Sequence, residues 1–384
     1  MTLSLATNPQ EWDAFLIGQR FRPFLQNWTM GEVYREIGQE PVRLEAREDG
    51  RITGICFGHV VRAKRGRHLT IPYGPICEGR IAKGELDIDS QLATRNSQFF
   101  PWIDSLKEIA KAHRCSFIRL SPFWTLSDPL NSELCSLSTP SPLHLLAEHL
   151  LYLPLTTQDQ WSVEVPPPPA GGGGTLQKQT KKTEDDIFSH FRATHRNLIR
   201  RAQKEGVDVV TSDDPDRDLP LFLTLHEETQ KRHNFTPYSD AFFRAQVKHF
   251  ASQGCLSLYL ARHENEVLAA SIHVHFGGET SYHHGASTQK SKVPASHLLQ
   301  WTAIRDALAR GDHVYNFWGI APILVEDARC KMQDAKHPFS GVTLFKTGFG
   351  GSFLELTHCR DIPLSIAYHG TRVFECIRKW RRGF

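Results

Sequence analysis

Lys346 is followed directly by Thr347, Gly348, Phe349, Gly350 and Gly351. An ammonium beside backbone that lacks Cβ atoms could meet a developing oxyanion while another chain or a ligand approaches closely. The preceding run, Val342 to Phe345, is β-branched and aromatic, which predicts a buried strand opening at Lys346. A glycine-rich turn closing a hairpin, with Lys346 in solvent, fits the same residues. A second group of cations, Arg192, Arg196, Arg200 and Lys204, recurs every four residues along a helix expected from Ile187 to Glu205 and stopped by Gly206. Thr183-Glu-Asp-Asp186 reads as its capping box, with acids at the positive helix end, and Ile187, Phe191, Leu198 and Ala202 are expected to face inward. Such a row of guanidinium groups can hold phosphate through its planar fork, or can simply be a solvated face.

Other chemistries find little support. The chain has no H-x-x-x-D, no G-x-S-x-G nucleophile elbow and no Walker A loop, so covalent serine catalysis and ATP-driven ligation are disfavoured. The eight cysteines are scattered without a C-x-x-C pair, which suits reduced core thiols in a cytoplasm. His273-x-His275 and His283-His284 offer imidazoles, but no Cys or carboxylate is spaced to complete a site, and no metal is expected. A formal net charge of +3 over 384 residues is too small to argue for nucleic acid or membrane by itself. No basic segment followed by an apolar run marks a signal peptide, and no apolar stretch approaches the ~20 residues of a membrane span.

The elements that would position these residues come in two similar sets. A helix is expected to start at Trp12–Leu16, and another from Phe24 to Gly38. Then come Val42 to Ala46, a turn at Glu48-Asp49-Gly50-Arg51, Ile52 to Val61, a third strand at Leu69 to Ile76, a helical stripe from Phe99 to Ala110, and a strand at Phe117–Leu120. Asp-Gly between apolar runs is a strong hairpin signal. The order recurs as Leu256 to Arg262, Val267 to Phe276, Thr280 to Ser287, a helix striped by Leu298, Trp301, Ile304 and Leu308, and Val314 to Ile320. Ala46-Arg47-Glu48 and Ala261-Arg262-His263 sit at corresponding places before the two turns. A strand-strand-strand-helix-strand unit used twice predicts an α/β (α+β) chain of two GNAT-like domains with mixed sheets. Domain one is expected over residues 1–160, completed by 355–384, and domain two over 161–354. A Pro/Gly linker lies at 165–174, a loop is expected at Asn131–Pro142, and a cleft between the units is the default site.

Phe345-Lys346-Thr-Gly348-Phe349-Gly350-Gly351 resembles the FKxGFGG signature of the FemABX family. Those enzymes move an amino acid from aminoacyl-tRNA to the peptide stem of a peptidoglycan precursor in cell-wall biogenesis. Ala193 to Val207, Gly285-Ala-Ser287, Leu298 to Trp301 and Tyr315 to Ile320 resemble further family segments, and the likeness is tightest from Ala193 to Phe353. Asn316 replaces the family's usual Asp, Tyr73 replaces an Arg, and Tyr34 stands where Lys is common, which leaves Arg35 as the nearest cation. The resemblance implies that Thr194 and Arg196 meet the precursor's diphosphate. Arg35, Tyr73, Arg200 and Tyr282 are further candidates for substrate contact, and Lys346 and Phe345 for catalysis.

Amide formation needs a neutral amine and a stabilised tetrahedral oxyanion; a preorganised cation can stabilise the latter by roughly 3–4 kcal/mol. Lys346 is the candidate for that role, or for a base if burial lowers its pKa. The expected donor is aminoacyl-tRNA with no separate cofactor, and the expected acceptor is UDP-MurNAc-pentapeptide or lipid II. Two other functions fit. One is an acetyl-CoA-dependent GNAT N-acyltransferase, although Lys346-Thr-Gly348-Phe-Gly350 is one residue short of the usual pyrophosphate loop. The other is a non-catalytic binder of RNA or an anionic precursor. A cytoplasmic location follows, with peripheral contact to the inner membrane face through Val373, Phe374, Ile377, Trp380 and the neighbouring cations; the same stripe could instead pack on the first domain.

Overall fold

The computed structural model describes residues 1–63, 66–78, 88–157, 181–233, 237–326, 329–332 and 337–382, with backbone alone for 88–98, 233, 324–332 and 382. The Pro/Gly stretch at 165–174 lies outside them. Two compact units emerge, one spanning Met1–Glu148 with Glu355–Phe384, the other running from His149 to Leu354.

In the first unit the chain runs β1 (Thr2–Leu5), α1 (Pro9–Ile17), a 3-10 turn (Phe24–Gln26), α2 (Trp28–Glu36), β2 (Glu40–Glu48), β3 (Arg51–Ala63), β4 (Gly66–Pro72), β5 (Ile76–Cys77), α3 (Ile88–Ala112), β6 (Phe117–Ser121), α4 (Leu130–Leu137) and β7 (Thr139–Pro140). The second contains β8 (His149–Pro154), α5 (Glu184–His190), α6 (Ala193–Lys204), β9 (Asp208–Thr211), α7 (Pro215–His233), α8 (Asp240–Ala251), β10 (Leu256–His263), β11 (Glu266–Phe276), β12 (Glu279–Ser287), α9 (Ala295–Arg310), β13 (Val314–Gly319), β14 (Ile323–Glu326), β15 (Arg329–Met332), α10 (Ser340–Thr347) and β16 (Ser352–Glu355). The chain then returns to the first unit as β17 (Arg360–Pro363) and α11 (Ala367–Arg382).

Both sheets are mixed. The first has the order β1-β2-β3-β4-β6-β17-β7, with β5 on β3; the second is β16-β8-β13-β12-β11-β10-β9. The duplication reaches the register. Each hairpin closes through two residues at positive φ, Asp49-Gly50 and Glu264-Asn265, and each carries a bulge just before it, at Ala46/Arg47 and Ala261/Arg262. Positive φ at both central positions matches the right-handed twist of the flanking strands. Each unit then adds its last strand in parallel, β6 on β4 and β13 on β12. Separate apolar cores fill the two units, around Trp102, Ile118 and Trp124 in one and Phe191, Trp301, Tyr315 and Phe349 in the other.

Several expected boundaries move. β8 pairs with β13, so the second unit begins at His149 rather than 161. Asn131–Pro142 contains α4 and β7 instead of a loop, because Leu130 and Leu134 bury one helical face. Asn27 caps Met30 N–H, which starts α2 at Trp28 and leaves Phe24–Gln26 as a 3-10 turn.

A buried ionic node fastens β17 and α11 to β6. Arg119 donates to both oxygens of Asp361, at 2.8 and 2.9 Å, and to both of Glu375, at 3.1 and 2.6 Å. Burial would lower the Arg119 pKa, but the two carboxylates outweigh it and hold the guanidinium above its ordinary value. Asp361 is fully buried. Removing the shared cation would strand the fully buried Asp361, so Arg119→Ala should cost ~3–5 kcal/mol in urea unfolding, whereas Arg51→Ala, at an exposed pair with Glu78, should cost under ~1 kcal/mol.

Candidate active site

The site is built where two neighbouring strands part. β12 and β13 pair in parallel only from Glu279↔Val314 to Ser281↔Asn316. Beyond Asn316 the β13 register against β8 shifts before Gly319, and Trp318 takes φ 65°, a backbone state costly for a bulky residue. Asn316 holds this kink: its carbonyl accepts from Trp318 N–H at 2.7 Å, while its amide donates to Glu279 at 2.7 Å. An Asp at 316 would set its carboxylate against that of Glu279.

Lys346 reaches across the opening. Its Nζ donates to the Gly319 carbonyl on β13 at 2.7 Å and lies 5.5 Å from the ring centroid of Tyr282 on β12. Burial lowers its pKa to about 7, while the carbonyl and the ring face both favour the charged form. The Tyr282 hydroxyl is pushed up to about 12 by burial. Its ring stacks on His273, whose Nε2 donates to the Tyr315 hydroxyl at 2.7 Å, and that hydroxyl donates to Gln300 at 2.7 Å. His275 likewise has hydroxyl partners in Ser257 and Thr280. Among the described residues, the group spaced to hold a metal is a different one, His144, Glu148 and His358, and the Cys359 N–H and Ser141 carbonyl also engage it.

The expected strand before Lys346 is a helix. Alternation would bury Thr343 with Phe345, whereas α10 buries Thr343 with Lys346, three residues on. Val342 and Leu344 are exposed instead. Only the helix delivers the Thr343 hydroxyl to Ala321 N–H, at 2.8 Å, together with Nζ to Gly319, so tertiary partners override β-propensity.

The expected helix from Ile187 to Glu205 is likewise two. Phe191 and Arg192 are extended, and the break is held by Arg192 N–H donating to the Gly348 carbonyl at 2.9 Å. Arg196 donates to the Ser189 and Phe191 carbonyls at 2.5 and 2.7 Å, satisfying the free end of α5. The break rotates the inward face: His195 and Ile199 are buried with Ala202, and Leu198 is only half-buried. Thr194 and Arg200 are exposed, with the Arg200 guanidinium 5.3 Å from the Phe188 ring.

His195 is the residue that sequence reasoning missed. Its Nε2 bonds the Phe345 carbonyl at 2.9 Å, which ties the start of α6 to the turn that carries Lys346. Burial lowers its pKa, more than the Phe345 carbonyl raises it, so the neutral ring donates from Nε2. Its four-residue spacing from Phe191 and Ile199 was the available signal. Phe345 and Phe349 pack around this contact, and Phe349 is fully buried. The glycines serve the chain itself: a Cβ on Gly348 would lie 1.9 Å from the His195 ring, and one on Gly351, at φ 109°, 2.4 Å from the Tyr152 carbonyl.

Two of the candidates belong to the first unit. Arg35 is exposed and paired with Glu32. Tyr73 is fully buried, edge-on to Phe123, with its hydroxyl donating to the Ala147 carbonyl at 2.6 Å, so the structure uses it in the core.

This strand opening, with a loop-and-helix cation across it, belongs to a GNAT-type acyltransferase fold, and residues 189–327 match the family model described as an acetyltransferase (GNAT) domain. The particular arrangement is the FemABX-family fold. The solved structure of FemX superposes with a TM-score of 0.72 at 16% identity, covering 98% of this chain and 100% of that one. The C-terminal (DUF2156) domain of a putative lysylphosphatidylglycerol synthetase from Agrobacterium fabrum gives 0.53 at 11% identity, covering 95% of each chain. L-PGS from Bacillus licheniformis gives 0.50 at 12%, covering 96% of this chain and 97% of its own. No curated protein matches significantly by sequence.

Gly348 has φ −68°, so an alanine there is strained by its neighbour and not by its backbone. Gly348→Ala should destabilise the protein by ~1–3 kcal/mol in denaturant unfolding through overpacking against His195. Combining it with His195→Ala should recover at least half of that loss; additive costs would show that the two do not share a contact.

Proposed function

We propose that the protein is an aminoacyltransferase that moves an amino acid from aminoacyl-tRNA to the peptide stem of a peptidoglycan precursor. The observation that carries this reading is the buried ammonium of Lys346, held across the β12–β13 opening within a FemX-type fold. An acceptor amine attacks the ester carbonyl of the donor, and the carbonyl π electrons move to oxygen. Lys346 Nζ, already oriented by Gly319, stabilises that oxyanion. Collapse restores the carbonyl and expels the ribose hydroxyl, which takes up a proton released by the amine through solvent or substrate. Aminoacyl-tRNA supplies the activated acyl group, so the reaction needs no separate cofactor.

The exposed Thr194 and Arg200, with Arg196 beside them on α6, form the proposed diphosphate contact. They start one hydrogen bond away from the turn that bears Lys346, so an acceptor held there has its stem near the opening. Arg196 keeps part of its guanidinium for this role, since only one of its amino groups serves the α5 carbonyls. The match of residues 189–327 to a GNAT domain favours a second reading, an acyl-CoA-dependent N-acyltransferase using the same opening.

Purified protein incubated with a pool of charged tRNAs and either UDP-MurNAc-pentapeptide or lipid II should add one residue to the stem, read by mass spectrometry. Transfer from acetyl-CoA instead, with none from charged tRNA, would replace this reading by the second. The role of Lys346 has a sign. An oxyanion-stabilising ammonium predicts a kcat that falls as pH rises through its pKa, from about 7 upward, whereas a base predicts a kcat that rises. Lys346→Met should lose at least ~100-fold in turnover, and Lys346→Arg, charged at every accessible pH, should keep residual turnover without the descending limb.

A further inference from the structure

α11 presents its apolar residues to solvent. Val373 is 60% exposed, Ile377 46% and Trp380 82%; Phe374 is also exposed, and Ile366, just before the helix, is 88% exposed. These positions follow one another at helical spacings of three, four and seven residues and therefore share a face. The opposite face carries the attachment. Tyr368 is buried, its hydroxyl near Asp361, and Glu375 is bonded to Arg119. The helix is thus held to the first unit by the Tyr368 ring on Phe117 and by polar and ionic contacts, with Val373, Ile377 and Trp380 exposed. The alternative open from the sequence, packing of the stripe on the first domain, is not what Val373, Ile377 and Trp380 do.

Charge indicates what covers the stripe. The one carboxylate within α11 is Glu375, paired with Arg119, while Arg378, Lys379, Arg381 and Arg382 follow at the same end as Trp380. Self-association through this face would bring those cations together and is opposed by their repulsion. RNA would satisfy the cations but leave Val373, Ile377 and Ile366 without a partner. An anionic bilayer matches both: acyl chains take the aliphatic stripe, the indole sits at the interface, and cations meet headgroups.

We propose that α11 is a membrane-docking surface that lays Val373, Phe374, Ile377 and Trp380 into an anionic lipid surface. The inference is independent of the acyl-transfer chemistry and would stand if that reading failed. Its test uses the full chain and extruded vesicles, either pure phosphatidylcholine or phosphatidylcholine with phosphatidylglycerol. The wild type should sediment with the anionic vesicles at least tenfold more strongly than with neutral ones, and less at physiological than at low salt. Ile377→Gln with Trp380→Gln, and separately Arg378, Lys379, Arg381 and Arg382 each changed to Gln, should lower partitioning at least tenfold. Because Ile377, Lys379, Trp380 and Arg381 are exposed, thermal unfolding should be unchanged. Brominated lipid should quench wild-type fluorescence more than that of Trp380→Phe. Partitioning that is equal for the wild type and both variants would overturn the proposal. So would a wild-type dimer in sedimentation velocity that Ile377→Gln with Trp380→Gln abolishes while vesicle binding persists, or loss of tRNA binding in the four-cation variant without loss of vesicle binding.

Discussion

The hydrogen bond from Lys346 Nζ to the Gly319 carbonyl is the constraint around which the second unit is arranged. It can form only if β13 leaves β12 after Asn316, if α10 is helical, and if the turn at Gly348 is held in place. Each condition has its own device. Asn316 and Glu279 kink the strand, Thr343 fixes α10 to Ala321, and His195 with Arg192 pins the α10 turn to α6. In the proposed mechanism this prior ordering is what keeps reorganisation small when an oxyanion forms, because the donor is already fixed.

The two copies of the fold treat the same place differently. In the first unit the parallel pair β4–β6 keeps its ladder from His68↔Phe117 through Pro72↔Ser121, and the strand then delivers Tyr73 into the core. In the second unit the equivalent ladder ends at Ser281↔Asn316 and the space is left to Lys346 and Tyr282. One copy is thus closed by an apolar ring and a backbone hydrogen bond, and the other is lined by polar, titratable groups. Duplication explains the architecture, and the shorter parallel ladder of the second unit separates the copies.

Much of this was legible in the residues. The first hairpin was written in Asp49-Gly50, the second in the break between Arg262 and Val267, and the helix stripes in their spacing. What failed was local conformation where tertiary partners decide. Val342 to Phe345 has strand chemistry but becomes helix, because Thr343 and Lys346 both have partners on β13 or just after it. Ile187 to Glu205 has unbroken helical periodicity but divides at Phe191, because Gly348 and Arg196 supply hydrogen bonds that an isolated helix lacks. His195 went unread because a histidine on an inward stripe has no sequence mark that separates a packing residue from one that fixes the turn bearing Lys346.

The central claim is that Lys346 is buried at the strand opening and titrates far below an ordinary lysine. Lysine labelled with 13C at Cε, observed by NMR across pH and assigned by the signal missing in Lys346→Met, measures this directly. An apparent pKa near 7 is the expected result. A Lys346 signal that titrates at the ordinary lysine value of 10.5 would contradict the account.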